Sequence, residues 1–345
     1  MQQSLTPRPN RRLRPRWTAC AVAATALAAL ATGCGSSESG GKPADGRSLK
    51  IIYVRDVPQP TPFDAPIVKG YKDAGKRLGD DTVFQGAPAN TRASDPAQEK
   101  RLLQNAVAEK PDCLITTFDT PSAQGPEVRK AQAAGIPVVF ANAGYQQAEK
   151  YGALTYIGSD ETLQGRTGGQ ELTRLGVKHP LVVSLTPGSL PLTDQRNAGF
   201  KTGYTGQTTW LYMSLKEAAG TTASIAGAIE AKLARDPSID AVFTTGVVFA
   251  PAQLAARTAT GSRAAAMTWA TIDTNAQILG AVKAGNLAFA LDQQQYLQGY
   301  WAALVCDQYV RHGLKPVDPV MATGPVVVTQ KNLAGYLKAA AEGIH

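Results

Sequence analysis

The sequence predicts an α/β protein built from two similar lobes, each formed around a doubly wound parallel sheet. Two observations support this fold class. From residue 48 onward, short apolar and β-branched runs alternate with Ala-rich stretches of helical periodicity, which is typical of parallel sheets with helices on both faces. The order helix, Pro-containing turn, strand, helix, strand also occurs twice, over residues 98–141 and 222–272. The chain is long enough for two domains.

Each element is predicted from its local pattern. The first helix is predicted because apolar residues recur at helical spacing from Ile67 to Leu78. The predicted strands are residues 49–54, 82–85, 113–117, 137–141, 155–157, 181–185, 209–212, 241–245, 268–272, 287–291 and 326–328. Helices are predicted to fill the gaps between these strands, for example residues 67–78, 98–109, 125–134, 163–175, 195–204, 222–235, 252–258, 275–284 and 297–312.

One segment of the first helix has the spacing of a phosphate-binding P-loop. Residues 70–76 begin with glycine and end with Gly-Lys, but Arg77 stands where the motif requires Ser or Thr. A P-loop also needs a preceding strand and an open glycine loop, whereas the apolar periodicity here is helical. We therefore predict a helix face that carries two glycines, not a nucleotide site.

The N-terminus has the pattern of an export signal. Five arginines precede an apolar run over residues 17–32, and a small residue, Gly33, comes before Cys34. This predicts a signal peptide over residues 1–33, because the run is too short and Ala-rich for a secure membrane span. Cys34 followed by a Gly/Ser-rich tether resembles a bacterial lipoprotein signal, which implies a lipidated Cys34, a flexible linker over 34–47 and an extracytoplasmic, membrane-anchored protein.

Two questions about the leader stay open. An ordinary cleaved signal with an incidental Cys34 is the alternative to a lipoprotein. The pair Arg11-Arg12 also leaves the choice between the general secretory and the twin-arginine export routes undecided.

Composition excludes several classes of protein. The formal net charge is +8, but residues 1–33 contribute five arginines and no acidic residue, so the remainder carries +3. We expect no nucleic-acid partner, which would require a dense basic patch. The three histidines are widely separated, and the sequence contains neither Cys-x-x-Cys nor His-Glu-x-x-His nor Gly-x-Ser-x-Gly. We therefore predict no metal, no cofactor and no catalytic residue.

Two cysteines, Cys113 and Cys306, belong to the predicted body of the protein. Each lies in an apolar stretch, and cysteine is among the residues most often buried. We expect buried free thiols rather than a disulfide. An oxidising compartment would allow the two to pair, and the sequence leaves that pairing open.

Polar or small residues follow several predicted strands. In open parallel sheets, ligands bind beyond the carboxyl ends of the strands. If the rims of two such lobes face each other, one cleft between them collects these residues. The residues at strand ends are Asp56, Thr117, Asn142, Gly246 and Asp273.

Several longer motifs occur in a characteristic order between residues 49 and 331. They include Pro-Phe-Asp at 62–64, Ala-Gly-Ile-Pro-Val-Val-Phe-Ala-Asn at 134–142, Ile-Gly-Ser-Asp at 157–160, Arg-Asn-Ala-Gly-Phe at 196–200 and Asp-Gln-Gln-Gln-Tyr-Leu-Gln-Gly-Tyr at 292–300. In this order and spacing the chain resembles the type I periplasmic binding proteins for sugars, the ribose- and galactose-binding group that serves ABC importers.

The resemblance implies an architecture with a hinge of three crossovers, near Tyr156, Gln293 and Thr323. It implies an N-terminal lobe of residues 48–156 plus 294–322 and a C-terminal lobe of residues 157–293 plus 323–345. The lobes open and close about the hinge, and ligand contacts from both favour the closed state. The closed form of a monomer then docks on ABC permease subunits.

The resemblance also implies ligand-binding residues in the first lobe. Phe63 is expected to stack on the ligand, unless it is a core residue at a helix entry. Asp64 is expected either to accept sugar hydroxyls or to cap a helix. Thr117 and Asn142 end strands, where turn chemistry is the alternative. Asn142-Ala143 departs from the Asp-Arg of several pentose and hexose binders, which puts a bidentate hydroxyl contact in doubt.

In the second lobe, the family supplies a ligand-binding arginine near the start of a helix. Arg196 matches a motif arginine, but the nearer ligand position holds Asp194, and either side chain could instead be a cap or a solvated charge. Gly246 replaces a polar residue of many relatives, which makes the identity of the sugar doubtful. Asp273 and Gln293 are expected to reach the ligand from the hinge side. Tyr212 is either a stacking residue or part of the core.

The function expected is therefore that of a substrate-binding lipoprotein of an ABC importer, which captures a sugar, polyol or similar solute. The first alternative is a tethered receptor that presents its ligand to a membrane sensor. The second is an α/β enzyme, although the nucleophile, metal and dinucleotide motifs are missing. A two-lobed repressor would need an N-terminal helix-turn-helix, where this chain has an export signal.

Overall fold

The computed structural model describes residues 46–58, 61, 63–87 and 95–344. The predicted leader, Cys34 and nearly all of the predicted linker lie outside the described residues. The strands are β1 Lys50–Pro58, β2 Asp81–Ala87, β3 Cys113–Thr116, β4 Val138–Ala141, β5 Tyr156–Ser159, β6 Pro180–Leu185, β7 Thr209–Met213, β8 Ala241–Thr244, β9 Thr268–Ile272, β10 Phe289–Asp292, β11 Val320–Gly324 and β12 Val326–Val328. The helices are α1 Asp64–Leu78, α2 Pro96–Ala108, α3 Pro121–Ala133, α4 Glu161–Arg174, α5 Pro191–Gly203, α6 Leu215–Ala218, α7 Thr222–Arg235, α8 Ala250–Ala259, α9 Ala276–Lys283, α10 Gln295–His312 and α11 Leu333–Ala341.

The strands form two six-stranded sheets. The first has the order β11-β5-β4-β3-β1-β2 and the second β12-β10-β9-β8-β6-β7. Neighbouring strands are parallel, except that β12 pairs with β10 in the antiparallel sense. We call the first sheet with α1–α3 and α10 the first lobe, and the second sheet with α4–α9 and α11 the second lobe. The predicted α/β class, with two doubly wound lobes, is confirmed.

Both faces of each sheet are covered by apolar side chains. In β1, Ile51 and Tyr53 join one core cluster, while Ile52 and Val54 join the cluster on the opposite face. Alternate residues of a strand point to opposite faces, so a strand that is apolar throughout must be buried on both sides. The continuous apolar runs of the sequence are therefore the central strands.

The described elements differ from prediction mainly near the C-terminus. The predicted strands do not include β11, and the helices named from the sequence do not include α11 or the short α6. Strand β11 is an edge strand whose residues are mostly partly exposed, so its sequence lacks the continuous apolar run of a central strand. No helix among residues 46–58, 61, 63–87 and 95–344 is long and apolar enough to cross a membrane.

Two helix pairs pack backbone against backbone. A Cβ atom at Gly299 of α10 would overlap the Ile67 carbonyl of α1, and one at Gly70 of α1 would overlap the Tyr296 carbonyl of α10. In the second lobe, Gly199 of α5 meets the backbone of α4 in the same way. The helix predicted for residues 70–76 is confirmed, because this segment lies within α1 and Gly70 faces α10.

Cys113 and Cys306 form a disulfide, which corrects the expectation of free thiols. Cys113 begins β3, and Cys306 lies on the face of α10 that covers the same sheet, so both side chains are buried in one core cluster. Their Cα atoms are 5.7 Å apart, a separation typical of disulfides. Burial preference favours the core for either state of cysteine, and sequence alone could not show that the two residues face each other.

The chain crosses between the sheets three times, as expected of a hinge. It passes to the second lobe after β5, returns between β10 and α10, and passes again between β11 and β12. The three crossings touch: a Cβ at Gly324 would lie 2.6 Å from the Asp292 carbonyl oxygen and 3.3 Å from Ser159 Oγ. Glycine is therefore required where the third crossing passes the other two.

Candidate ligand-binding site

The carboxyl end of the first sheet carries a buried cluster around Arg55, near the end of β1. One guanidinium nitrogen donates to Thr117 Oγ1 at 2.8 Å and to Asn142 Oδ1 at 3.0 Å. Another pairs with Asp64 Oδ1 at 2.7 Å. Thr117 follows β3, the neighbour of β1, and Asn142 follows β4, the next strand in the sheet. Strand order thus brings together the side chains that hold Arg55.

Asp64 is the first residue of α1 and is 2% exposed. The Thr61 hydroxyl donates to it, in addition to the ion pair with Arg55. A carboxylate at a helix N-terminus is favoured by the helix dipole, and the guanidinium compensates the cost of burying its charge. Asp64 therefore holds Arg55 in place.

The facing end of the second sheet carries a second buried cluster, around Arg196 of α5. Its Nε donates to Glu161 Oε2 at 2.5 Å, and one terminal nitrogen donates to the Thr245 carbonyl at 2.7 Å. The same nitrogen lies 3.8 Å from Asp273 Oδ2. Burial raises the pKa of the Glu161 carboxyl, while the guanidinium opposes that rise. Two carboxylates thus share one guanidinium.

Asp273 follows β9 with φ of +75°, which turns the chain sharply at the strand end. Its Oδ2 accepts the Val247 amide at 2.9 Å, and its Oδ1 accepts Gln293 Nε2 at 2.5 Å. Gly246 lies against this cluster, since a Cβ there would be 3.4 Å from an Arg196 guanidinium nitrogen. The glycine therefore keeps open the space in front of Arg196.

Glutamines of the hinge connect the two clusters. Asn142 Nδ2 donates to Gln298 Oε1 at 3.2 Å. Gln298 Nε2 lies 3.3 Å from the Gln293 carbonyl and 3.4 Å from Thr323 Oγ1. Because the Gln293 side chain reaches Asp273, buried polar groups run without interruption from one lobe to the other.

Tyr156 of β5 lies between the clusters. Its hydroxyl is 2.9 Å from the carbonyl oxygens of Asn142 and Ser159. Burial is the main cause that raises its pKa well above 10; the Glu161 charge raises it further, and Arg196 opposes it. The Tyr156 hydroxyl of the first lobe is therefore close enough to Glu161 and Arg196 of the second for their charges to act on its pKa. This is expected if the two clusters face the same cleft.

A small cavity lies in this cleft, between the lobes. Its volume is about 20 Å³, which is room for about one water molecule. The first lobe contributes Phe118, Asp119, Tyr145 and Tyr156, among others, and the second Glu161, Pro191, Leu192 and Gln195. Side chains of both lobes therefore already meet here.

Not all predicted site residues join the clusters. Asp194 accepts the Gly188 amide at 3.0 Å and so closes the loop before α5. Tyr212 stacks on Trp210 with ring centroids 5.2 Å apart. Phe63 is partly buried and packs against the core of the first lobe, and its stacking role stays a prediction. Those brought together are Asp64, Thr117 and Asn142 in one cluster, and Arg196, Gly246, Asp273 and Gln293 in the other.

Sequence reasoning missed three residues that hold the clusters. Arg55 was passed over in favour of its neighbour Asp56, although an arginine in an apolar strand needs a buried partner. Glu161 directly follows the motif at 157–160, and a glutamate at the start of a helix looks like ordinary dipole compensation. Gln298 falls within a quoted motif, but helical periodicity alone did not show which of its glutamines is buried.

The chemistry of these walls suits a polyhydroxylated solute. Guanidinium and amide groups donate, and carboxylates and amide oxygens accept, so both walls can match hydroxyls, which do both. Within the part of the chain described, no group of three or more His, Cys, Asp or Glu could hold a metal ion. The fold and the facing clusters define a two-lobed solute-binding protein.

Comparison with known families agrees. The Periplasmic binding protein domain family matches residues 57–315, well over half of the chain. The chain belongs to this family, in its type I fold. No curated protein sequence matches it significantly.

Solved structures give the same result. A carbohydrate transporter from Acidothermus cellulolyticus, in complex with myo-inositol, is 33% identical, with a TM-score of 0.76 over 87% of this chain and 100% of that one. An ABC transporter solute-binding protein from Agrobacterium vitis, bound with α-D-tagatopyranose, is 24% identical (TM-score 0.71; 86% and 99% covered). One from Actinobacillus succinogenes, with bound D-allose, is 20% identical (TM-score 0.72; 83% and 100% covered). The last two show the fold alone.

Proposed function

We propose that this protein is the substrate-binding component of an ABC importer, which captures a neutral cyclic polyol or sugar between its lobes and delivers it unaltered to a membrane permease. The observation that carries the proposal is the pair of buried arginine–carboxylate clusters at the facing ends of the two sheets. Phe63, Asp64, Thr117 and Asn142 of the first lobe, and the Arg196 cluster of the second, are the proposed ligand contacts.

The choice of a neutral ligand follows from charge. Arg55 is matched by Asp64, whereas Arg196 faces both Glu161 and Asp273. The second wall therefore carries an excess of negative charge, which disfavours a carboxylate or phosphate on the ligand. The relative from Acidothermus cellulolyticus was solved with myo-inositol, a neutral ring of hydroxyls. This makes myo-inositol the first ligand to test.

Capture requires movement of the lobes. Ligand pockets generally enclose about 300–1,000 Å³, far more than the 20 Å³ cavity between the lobes. The lobes must therefore separate to admit a ring, then close on it about the three crossings. Closure excludes water, and a hydroxyl left unpaired then costs about 1–3 kcal/mol and a carboxylate more, which is the source of selectivity.

The proposed setting is outside the cytoplasm. The predicted leader, with Cys34 as a lipid-anchored residue, places a monomer on the outer face of the membrane. Family membership and the Cys113–Cys306 disulfide support an extracytoplasmic location, because disulfides persist mainly in oxidising compartments.

Titration calorimetry with a solute panel tests the proposal. We expect micromolar or tighter binding of at least one neutral member of a set of inositols, pentoses and hexoses, and no detectable binding of glucuronate or glucose phosphate. Absence of binding by every neutral member, or turnover of any of them, would overturn the proposal.

A matched pair of variants places the ligand in the cleft. Asp273→Asn removes one charge from the Arg196 cluster and should weaken binding of the responding solute at least tenfold. Asp240→Asn is the control, because Asp240 caps the opposite, amino end of the same sheet through the His179 and Lys178 amides. Equal affinity in the two variants would contradict the assignment of the site.

A further inference from the structure

Three hydrogen bonds in a row connect the wall of the first lobe to the hinge. The Arg55 guanidinium donates to Asn142 Oδ1 at 3.0 Å, and Asn142 Nδ2 donates to Gln298 Oε1 at 3.2 Å. Gln298 Nε2 in turn donates to the Gln293 carbonyl at 3.3 Å. We call these four groups the amide relay, because two side-chain amides stand between the guanidinium and the carbonyl.

The two ends of the amide relay fix its direction. A guanidinium can only donate a hydrogen bond, and a backbone carbonyl can only accept one. If the Gln298 amide turned over, its oxygen would face the Gln293 carbonyl oxygen, and both are acceptors. If the Asn142 amide turned over, its nitrogen would face the Arg55 guanidinium, and both are donors. Each amide therefore has one permitted orientation.

The amide relay also decides which residue can stand at position 142. An aspartate there could accept from Arg55, but its second oxygen would face Gln298 Oε1, and both are acceptors. Turning the Gln298 amide over would only move the conflict to the Gln293 carbonyl. A buried acceptor without a donor is costly. Gln298 therefore requires a side chain at 142 that accepts at one end and donates at the other, as asparagine does.

Asn142 is the member of the amide relay that reaches the cleft. It follows β4 at the carboxyl end of the first sheet and is partly exposed, whereas Arg55 and Gln298 are 6% and 0% exposed. A side-chain amide has two N–H groups and two lone pairs on its oxygen. The bonds to Arg55 and Gln298 use one of each, so one acceptor and one donor can serve a solute.

We propose that Gln298 is a positioning residue, which holds the Asn142 amide so that the first wall presents one acceptor beside one donor to two neighbouring hydroxyls of the solute ring. An aspartate at 142 would present acceptors only and would require both hydroxyls to donate. Gln298 acts through Asn142, because it is itself fully buried. The inference rests on the proposed function, since it places Asn142 in the same site.

Unfolding in urea tests the amide relay without any solute. Asn142→Asp should raise the unfolding equilibrium constant at least tenfold in the wild-type background, because an acceptor then faces an acceptor. In a Gln298→Met background the same substitution should raise it less than threefold, since methionine presents no amide oxygen. An equal effect in the two backgrounds would overturn the proposal, whether or not the proposed function holds.

Titration calorimetry with myo-inositol tests the positioning role. Gln298→Met should weaken binding at least fivefold, because the Asn142 amide loses one of the two bonds that orient it. Gln253→Met is the matched control, since Gln253 is also 0% exposed and its Nε2 donates to the carbonyls of Val242 and Ala270. The control should lose stability but keep the wild-type affinity. Wild-type affinity in a folded Gln298→Met variant would overturn the proposal.

A conservative variant, Gln298→Glu, separates orientation from packing. A protonated glutamate offers a carbonyl oxygen to Asn142 and a hydroxyl donor to the Gln293 carbonyl, which is the wild-type pattern, whereas an ionised one offers acceptors only. The myo-inositol affinity of this variant, relative to wild type, should therefore rise at least threefold from about pH 8 to about pH 5. A reduced affinity that stays the same over this range would contradict the proposal.

Failure of this proposal and failure of the proposed function are distinguishable. Circular dichroism checks that each variant is folded, and the tightest neutral binder of the solute panel replaces myo-inositol if myo-inositol does not bind. If no neutral solute binds the wild type, the proposed function fails, and the positioning role fails with it. If a solute binds wild type and Gln298→Met equally, only the positioning role fails.

Discussion

At the scale of single residues, the rule that ligands bind beyond strand ends predicted several residues of the two clusters that form the candidate site. It selected Thr117 and Asn142 at the carboxyl edge of the first sheet and Asp273 at that of the second, because these residues follow neighbouring central strands of their sheets. It could not find Arg55, whose role depends on the direction of a long side chain at the end of β1. Nor could it find Glu161, which pairs with an arginine 35 residues further along the chain.

Arg55 and Asp64 form a buried pair that the proposed function uses as one wall of the site. Arg55→Leu should destabilise the protein by about 3–5 kcal/mol, because it leaves the Asp64 charge buried without its partner. The double variant Arg55→Leu/Asp64→Leu should recover most of that loss, since paired apolar replacement of a buried ion pair is often neutral. Urea unfolding followed by circular dichroism measures both.

Ligand binding separates the structural role of this pair from its proposed role in recognition. The double variant, although stable, should bind the responding neutral solute at least tenfold more weakly than the wild type. Wild-type affinity in a stable double variant would show that this wall does not contact the ligand.

The carboxyl group of Asp292 predicts a pH dependence of stability. Burial raises its pKa from 3.8 to about 6. The folded state therefore holds a proton more tightly than the unfolded state, so this group lowers the unfolding free energy as pH rises from about 4 to about 6. The loss amounts to about 3 kcal/mol, at 1.36 kcal/mol per pKa unit.

The measurement is the unfolding free energy of wild type and Asp292→Asn at several pH values. Other groups titrate in both proteins, so the difference between the two is the quantity that reports on Asp292. We expect wild type to lose stability relative to the variant between pH 4 and pH 6. A difference that does not change over this range would contradict the assigned shift.

At the scale of elements, the close contact of α1 and α10 depends on glycine. Gly299→Ala forces a methyl group into the Ile67 carbonyl and the Tyr71 amide. It should destabilise the protein by about 1–3 kcal/mol through overpacking. Gly280→Ala in α9 is the control, because its Cβ meets nothing within 4 Å. That change should stabilise by about 0.5–1 kcal/mol, since alanine is the better helix former.

Thermal and urea unfolding of the two alanine variants should thus give shifts of opposite sign. Shifts of the same sign would mean that α1 and α10 can move apart to admit a methyl group. Backbone contact would then not be what sets the distance between these two helices.

Most elements could be predicted because central strands and their covering helices have strong apolar patterns. The exceptions have physical reasons. Strand β11 has one neighbour and partly exposed residues, so its pattern is weak. Of the residues of helix α11 only Leu333 is buried, and its Ala-rich sequence carries little periodicity. The residue bounds of the two lobes stay a prediction.

At the scale of the whole molecule, the Cys113–Cys306 disulfide joins residues 193 apart in the sequence. Its reduction should lower the unfolding free energy by about 2–4 kcal/mol, because the unfolded chain loses a long covalent loop. A version of the chain that begins at residue 46 contains only these two cysteines. Melting with and without reductant measures the effect, and Cys113→Ser/Cys306→Ser should melt at the same temperature in both conditions. Titration of two free thiols in the untreated protein would disprove the pairing.

The start of the described chain is held in place at the end of the first lobe that lies opposite the cleft. Arg47 pairs with Asp112 at 2.8 Å, and its carbonyl accepts the Arg311 guanidinium at 2.9 Å. Strand β1 then runs nine residues toward the cleft, about 30 Å at 3.3 Å per residue. If the protein is attached to a sensor surface near residue 46, the cleft should therefore face the solution. The lobes can then open and close while the opposite end of the first lobe stays attached.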